Sequence, residues 1–265
     1  MTQPPAISFE SVSKAYGDGR AQALDDVSLV IPERQFVTIV GPSGAGKTTL
    51  LRLVNRLAEP SAGTVRVDGV DVGTGDPIAL RRSIGYVFQG IGLFPHMTVA
   101  ENIAVTPRLL GWDAKRRAAR VDELIELVRL DRTQHRDRLP HELSGGERQR
   151  VGVARALAAK PHIMLMDEPF GALDPLTREA LARDYRRLHE EIGLTTVMVT
   201  HDTLEAVLLA DRVTVMRGGR VVADATPREL LRGESAGADS DYVQDLMQTP
   251  RRQAARLTAL FDREM

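Results

Sequence analysis

A glycine-rich segment with the sequence Gly-Pro-Ser-Gly-Ala-Gly-Lys-Thr starts at Gly41 and ends at Thr48. It follows the apolar run 36–40, which predicts a buried strand, and precedes a leucine-rich stretch that predicts a helix starting just after Gly44 and running towards Leu57. Glycines let successive backbone N–H groups turn inward around an anion, and the start of a helix adds positive partial charge. Lys47 could then reach the β and γ phosphates of a nucleotide, and the Thr48 hydroxyl could ligate Mg²⁺. The segment therefore predicts a nucleotide site, the alternative being a glycine-rich turn that happens to contain a lysine. The candidate phosphate-binding residues are Gly41, Pro42, Ser43, Gly44, Ala45, Gly46, Lys47, Thr48 and Thr49.

Three titratable side chains follow two other apolar runs. Asp167 and Glu168 end the run 163–166, and His201 follows the run 196–200. Sheets of alternating strands and helices bind ligands at the carboxyl ends of their strands, so Asp167 would hold Mg²⁺ beside the phosphate loop, through water. Glu168 would orient and deprotonate an attacking water, and His201 could bind the γ-phosphate or that water. The alternatives are two solvated acids and a histidine beside a helix-capping Asp202.

Strand-like and helix-like segments alternate along much of the chain, which predicts a mostly parallel sheet with helices on both faces. The middle of the chain, over 98–159, reads almost wholly as helix and therefore as an insertion into this α/β domain. Gly218-Gly219 predicts the turn of a hairpin. The predicted strands are 7–12, 27–31, 36–40, 64–70, 84–88, 163–166, 196–200, 213–216 and 220–223, and the clearest further helices are 114–130, 175–192 and 242–261.

The composition excludes several classes of protein. Of 265 residues, 35 are Lys or Arg and 36 are Asp or Glu, so no basic excess predicts a nucleic-acid partner. The chain has no cysteine, which excludes a disulfide framework and cysteine-ligated metal. We expect no signal peptide at the start, and the apolar runs are far shorter than the roughly 18 residues that a membrane span needs.

The segment Leu143-Ser-Gly-Gly-Glu147 lies between Lys47 and Asp167, inside the predicted helical insertion. Two glycines at a helix start present backbone N–H groups, and Ser144 can cap the helix, although a simple capped helix is the alternative. In this position the segment resembles the signature motif of ABC ATPases, and the resemblance extends to about residue 233. It implies a P-loop NTPase (RecA-like) core with a parallel sheet, an antiparallel β subdomain and an inserted α-helical subdomain. The implied division is 1–97 and 161–233 for the core, 98–160 for the helical signature subdomain, and 234–265 for a linker and tail helix.

The resemblance also assigns residues one by one. Tyr16 resembles the aromatic residue that stacks on adenine, with ordinary packing as the alternative. Gln89 resembles the glutamine that touches Mg²⁺ and links to a membrane partner, Asp174 resembles the D-loop aspartate, and His201 resembles the switch histidine. The implied catalytic residues are Glu168, His201 and Gln89; the implied metal ligands are Thr48, Gln89 and Asp167.

The resemblance implies a head-to-tail dimer with two ATP molecules and Mg²⁺. Each ATP would be held by the phosphate loop of one copy and the signature helix of the other. The nucleotide-binding set therefore also contains Tyr16, Ser144, Gly145, Gly146 and Asp174.

The stretches 84–103 and 109–112 are similar to those of importers of glycine betaine, carnitine and choline. This implies transmembrane permease subunits, a second copy of this chain and, indirectly, an extracytoplasmic solute-binding protein as partners, at the cytoplasmic face of the cell membrane. A subunit for another solute, such as an amino acid or other amine, and a non-transport ABC ATPase remain alternatives. Some family members carry a paired CBS module after the ATPase, and because this chain ends at Met265 we expect none here.

Overall fold

Two β-sheets organise the computed structural model, which describes residues 4–17, 21–234 and 239–261. The described strands are β1 (Ile7–Tyr16), β2 (Ala21–Ile31), β3 (Phe36–Val40), β4 (Ala62–Val67), β5 (Val70–Asp71), β6 (Ile84–Val87), β7 (Ile163–Asp167), β8 (Thr195–Val199), β9 (Arg212–Arg217) and β10 (Arg220–Ala225). The described helices are α1 (Lys47–Val54), α2 (Pro77–Ser83), α3 (Val99–Leu109), α4 (Ala114–Leu127), α5 (Arg132–His135), α6 (Gly145–Leu157), α7 (Pro175–Ile192), α8 (Thr203–Leu209), α9 (Pro227–Arg232) and α10 (Ser240–Phe261), with a 3-10 turn at Pro140–Glu142.

The larger sheet has six strands in the order β10-β9-β3-β8-β7-β6. Its neighbouring strands are parallel except for the hairpin of β9 and β10. The smaller sheet has four strands in the order β2-β1-β4-β5, and each neighbouring pair is antiparallel. This arrangement confirms the predicted α/β fold with a parallel sheet and a separate antiparallel one.

Both faces of the larger sheet are covered, as the alternation of side chains on β7 shows. Ile163 and Leu165 pack with α1 and the antiparallel sheet, whereas Met164 and Met166 pack with the helices α6 and α7 on the other face. Successive side chains of a strand point to opposite faces, so a strand between two covered faces buries all of its side chains and is mostly apolar. This explains why β3, β7 and β8 are buried at every position.

The helices α3 to α6 all lie between β6 and β7 in the chain, so the chain leaves the sheet after β6 and rejoins it at β7. Side-chain caps begin all four of them, at Thr98, Asp113, Asp131 and Ser144. Asn102 on α3 is fully buried and its amide binds the carbonyl oxygens of Phe94 and Met97, which fastens the loop after β6 to the helical segment. The exact division at 97/98 and 160/161 stays a prediction.

The prediction of a single strand over 64–70 was wrong. The structure has a hairpin there, because β4 ends at Val67 and pairs with Val70 of β5 across a two-residue turn. Asp68 and Gly69 both have positive φ, 51° and 78°, which is the backbone of a type I′ turn and is typical of Asp-Gly. Helix α1 also ends earlier than predicted, at Val54, because Arg56 adopts a left-handed φ of 53° that an α-helix cannot continue.

Three short helices, α2, α8 and α9, were not predicted with bounds, because six or seven residues carry too little hydrophobic periodicity, although Asp202 was interpreted as a helix cap. Their caps at Asp76, Asp202 and Thr226 are the signals that could have located them. The predicted tail helix is present as α10, whereas residues 235–238 of the predicted linker and 262–265 of the tail lie outside the described residues. Within the described ranges, no helix combines the length and apolar character that crossing a bilayer requires.

Candidate nucleotide-binding site

The phosphate loop connects β3 to α1 and depends on two glycines that are held against distant backbone. Gly41 and Gly46 have positive φ values of 152° and 98°. A Cβ atom on Gly41 would lie 2.2 Å from the carbonyl oxygen of Met216, and one on Gly46 would lie 2.4 Å from that of Ala23. Any side chain at these positions would displace the loop, so the close approach of β2 and β9 fixes its shape.

Lys47 begins helix α1 and is almost completely buried, with 7% of its surface exposed. Its Nζ donates to the carbonyl oxygens of Gly41 and Pro42 at 2.8 and 2.9 Å, so the side chain folds back across its own loop. Burial lowers the pKa of Lys47, and the carboxylates of Glu168 and Asp167 partly oppose that effect. The loop therefore presents a desolvated ammonium group bound to neutral acceptors, which favours an incoming anion.

Thr48 and Asp167 meet at the floor of the loop. The Thr48 hydroxyl donates to Oδ1 of Asp167 at 3.0 Å, and burial raises the pKa of Asp167 despite this hydrogen bond. Mg²⁺ prefers oxygen ligands and keeps several waters, so the Thr48 hydroxyl and the Asp167 carboxylate fit the ion, with Asp167 holding it through water. Within the described ranges no three His, Cys, Asp or Glu side chains form a metal-binding group, and the set here consists of one carboxylate, a hydroxyl and the amide of Gln89.

The three predicted catalytic residues lie together, with Glu168 between Gln89 and His201. Its Oε2 accepts a hydrogen bond from Nε2 of Gln89 at 3.0 Å and lies 3.5 Å from Nδ1 of His201. Its φ of 46° is a left-handed conformation, uncommon for a residue other than glycine, and its N–H donates to Val199 of β8. The chain thus turns sharply after β7 and directs the carboxylate towards the side chains that end β6 and β8.

These residues share connected clefts. Glu168 and Ala23 line one cleft with the phosphate loop, whose contributing residues run from Ser43 to Thr49. Gln89 and Asp167 line a second cleft, and the hydrogen bonds of Asp167 to Thr48 and of Gln89 to Glu168 join the two. Residues predicted from four separate stretches of sequence are therefore brought together at the carboxyl edge of the parallel sheet.

Tyr16 lies at the edge of this assembly and does not line the cleft. It ends β1 and pairs with Ala21, two residues before the Ala23 whose carbonyl oxygen touches the phosphate loop. Its ring is 40% exposed, and Nζ of Lys14 lies 5.0 Å from the ring centre. The ring is thus available at the rim of the loop.

Among the described residues, no hydrogen bond joins the signature segment (143–147) to the phosphate loop of the same copy. Ser144 caps α6 through a reciprocal pair of bonds with Glu147. A Cβ on Gly145 would lie 3.5 Å from Leu173, and one on Gly146 would lie 2.7 Å from Thr177. The start of the signature helix therefore packs on both sides of Asp174, against the loop before it and the first turn of α7 after it. Asp174 caps α7 by accepting a hydrogen bond from the N–H of Thr177.

Arg178 also belongs to the neighbourhood of the site and was missed in the sequence. Its guanidinium group binds Asp202, Gly171 and Leu173. A signal was present, because a basic residue at the end of the first turn of a helix opposes the helix dipole and therefore suggests another role.

Comparison with known proteins adds to this geometry. A family model described as ABC transporter matches residues 24–171, more than half of the chain. The chain belongs to the ABC transporter family. It is 49% identical over 237 residues to the choline transport ATP-binding protein OpuBA of Bacillus subtilis, an alignment that covers 89% of this chain and 62% of OpuBA. It is 48% identical to the carnitine transport ATP-binding protein OpuCA of Listeria monocytogenes, with 89% and 59% covered.

Among solved structures, the chain resembles the ATP-binding cassette MJ0796, seen as a dimer bound to ADP and phosphate in a post-hydrolysis state. The TM-score is 0.75 at 35% identity, over 84% of this chain and 99% of MJ0796. The ABC cassette fold predicted from the sequence is thereby confirmed. The chain spans about three fifths of the length of the curated relatives named above.

Proposed function

We propose that this chain is the ATP-binding and ATP-hydrolysing subunit of an ABC importer. The observation that carries the proposal is the meeting of Gln89, Glu168 and His201 at the rim of the cleft that contains Lys47. A phosphate-binding loop alone would support nucleotide binding. A carboxylate held beside it by an amide and an imidazole supports hydrolysis as well.

In this proposal the chain's own residues bind, orient and deprotonate. Backbone N–H groups of residues 41–49 and Nζ of Lys47 bind the phosphates, and the exposed ring of Tyr16 stacks on adenine. Thr48, Asp167 and Gln89 would hold Mg²⁺, which would neutralise charge on the phosphate oxygens.

Glu168 accepts a proton from water as the water oxygen bonds to the γ-phosphorus, and the bond to the β–γ bridging oxygen breaks to leave ADP. Gln89 orients this water together with Glu168. His201 donates to a γ-phosphate oxygen.

A second copy of the chain completes the site. Gly145 and Gly146 offer the N–H groups of a helix start that their own copy leaves away from its phosphate loop, Ser144 offers its hydroxyl group, and Asp174 lies beside them. These groups can bind the γ-phosphate of the opposite copy only while ATP is present and the dimer is closed. ATP therefore stabilises the closed dimer by differential contacts, and hydrolysis removes them.

The proposed solute is an osmoprotectant with a quaternary ammonium group, such as choline, carnitine or glycine betaine. The support is the identity of nearly one half to subunits named for choline and carnitine transport. The partners are transmembrane permease subunits at the cytoplasmic face of the membrane, and indirectly a solute-binding protein. Gln89 is suitably placed for coupling to a permease, because it follows the exposed Phe88, which lines one cleft together with the exposed Phe94.

The division of labour follows the proposed domains. Residues 1–97 and 161–233 bind and hydrolyse ATP, residues 98–160 carry the signature helix, and residues 234–265 form the linker and tail.

The proposal is tested by reconstituting the chain with its permease and a solute-binding protein in liposomes that contain ATP. We expect uptake of radiolabelled choline or carnitine that requires internal ATP and is lost in Glu168→Gln. Hydrolysis of ATP without uptake of any quaternary amine would contradict the solute assignment. Absence of hydrolysis would contradict the ATPase.

A further inference from the structure

Arg178 connects two loops that follow different strands. Its Nη2 donates to the carbonyl oxygens of Gly171 and Leu173 at 3.3 and 3.2 Å, in the loop after β7. Its Nη1 lies 3.4 Å from Oδ2 of Asp202, the residue directly after His201 at the end of β8. We call residues 171–174 the D-loop and residues 200–202 the switch loop. One guanidinium group therefore bridges the D-loop and the switch loop.

Both of these loops contact Glu168, the proposed catalytic residue. The N–H of Gly171 donates to the carbonyl oxygen of Glu168 at 3.3 Å. A Cβ added to Gly171 would lie 3.8 Å from both Oε2 of Glu168 and Cε1 of His201. A shift of the D-loop backbone would thus be felt directly by the two groups proposed to act on water and phosphate.

Asp202 divides its two carboxylate oxygens between two tasks. Oδ1 accepts from the N–H groups of Leu204 and Glu205 and caps α8, whereas Oδ2 faces Arg178. The capping bonds hold the carboxylate in place, so the switch loop offers Arg178 a fixed anchor.

The network around Arg178 is incompletely satisfied. Among the described residues, Nε of Arg178 and Oε1 of Glu205 are buried without a hydrogen-bond partner. The bonds that Arg178 makes, at 3.2–3.4 Å, are long for a charged donor. A buried polar group without a partner costs free energy, so a small movement that paired Nε of Arg178 or Oε1 of Glu205 would be favourable.

We propose that Arg178 is a positioning residue that makes the D-loop and the switch loop move as one unit. In the proposed dimer the D-loop residue Asp174 lies at the junction of the copies, so docking of the second copy would be transmitted through Arg178 to Glu168 and His201. This inference rests on the proposed ATPase function. Arg178 would therefore affect the rate of ATP hydrolysis, whereas the affinity for ATP would depend on the phosphate loop.

The test compares Arg178→Gln and Arg178→Lys with Arg183→Gln, an exposed arginine on the same helix. We expect kcat for ATP to fall about 10- to 100-fold in Arg178→Gln, while ATP affinity and thermal stability stay close to wild type. Lysine keeps the charge but cannot bind three acceptors in a plane, so it should restore only part of the rate. Arg183→Gln should hydrolyse ATP like wild type.

A second variant separates coupling from folding. Asp202→Asn keeps the cap of α8, because asparagine caps as well as aspartate, but removes the charge that faces Arg178. Asp202→Asn should lower kcat, and the double variant with Arg178→Gln should be no slower than the slower single variant. Additive losses, or an unchanged kcat in Arg178→Gln, would overturn the inference. Absence of hydrolysis in the wild-type chain would instead contradict the proposed function.

Discussion

Lys47 shows how a single residue derives its chemistry from its position. The glycines before Lys47 predict that it lies at a helix start and binds phosphate. In the structure its ammonium group donates to two carbonyl oxygens of the same loop. Burial lowers its pKa, which indicates that its charged form lacks the hydration it would have in water. Phosphate oxygens, which carry negative charge, would stabilise the ammonium group more strongly than the neutral carbonyl oxygens do.

Replacing this lysine should weaken nucleotide binding. Lys47→Ala removes charge-assisted hydrogen bonds worth about 1.5–3 kcal/mol each, so we expect the Kd for ATP to rise at least tenfold. Isothermal titration of the isolated subunit measures this directly. Lys115→Ala, on the exposed face of α4, is the matched control and should bind ATP as wild type does. An unchanged Kd in Lys47→Ala would refute the phosphate-loop assignment.

The residues of the candidate site could be predicted because they belong to short stretches with their own spacing. What could not be predicted are contacts between distant stretches. The carbonyl groups of Ala23 and Met216 that shape the phosphate loop carry no sequence signal, because a backbone oxygen is present at every residue. Arg178 was missed for a related reason, since its three partners come from two other loops.

At the scale of elements, caps decide where the functional helices begin. Helix α6 starts at Gly145 because Ser144 and Glu147 form a capping box, and Nε2 of His135 binds the same Glu147 carboxylate at 3.0 Å. Hydrogen bonds from the Ser144 N–H and from His135 lower the pKa of Glu147 to about 2. The start of the signature helix is thus held by Glu147, whose ionised form is favoured more strongly in the folded chain than in the unfolded chain.

This shift predicts a pH dependence of stability. The pKa of Glu147 is lower in the folded chain than its ordinary value of 4.5, so its contribution is complete above about pH 4.5 and is lost as the pH falls towards 2. Urea unfolding should therefore find Glu147→Gln less stable than wild type at neutral pH, with the difference shrinking as the pH falls below 4.5. Glu126→Gln, at an exposed acid on α4, is the comparison variant. A difference that is constant with pH would contradict the assignment.

Element types were predictable where the pattern was long or strongly apolar, as for β3, β7 and α7. The pattern failed at 64–70, where alternating valines predicted one strand and the dipeptide Asp68-Gly69 instead closed a hairpin. Turn chemistry overrode periodicity there, because both residues adopt positive φ.

At the scale of the whole molecule, the parallel sheet brings the candidate site together and the helical segment carries the signature helix. Lys47, Asp167, Glu168 and His201 follow adjacent strands and meet at one edge. Ser144 is carried on α6, which packs against the sheet beside β6 and against α7. In the proposed dimer, the site of one copy would be complete only when the signature helix of another copy approaches it.

The most direct test is the structure of Glu168→Gln bound to ATP and Mg²⁺, because removal of the proposed base should preserve the nucleotide. The measured quantity is the distance from Ser144 to the nearest γ-phosphate oxygen. We predict a dimer in which Ser144 of one copy lies within hydrogen-bond distance, about 2.7–3.2 Å, of the ATP bound to Lys47 of the other. An ATP-bound chain in which Ser144 touches no phosphate would contradict the account.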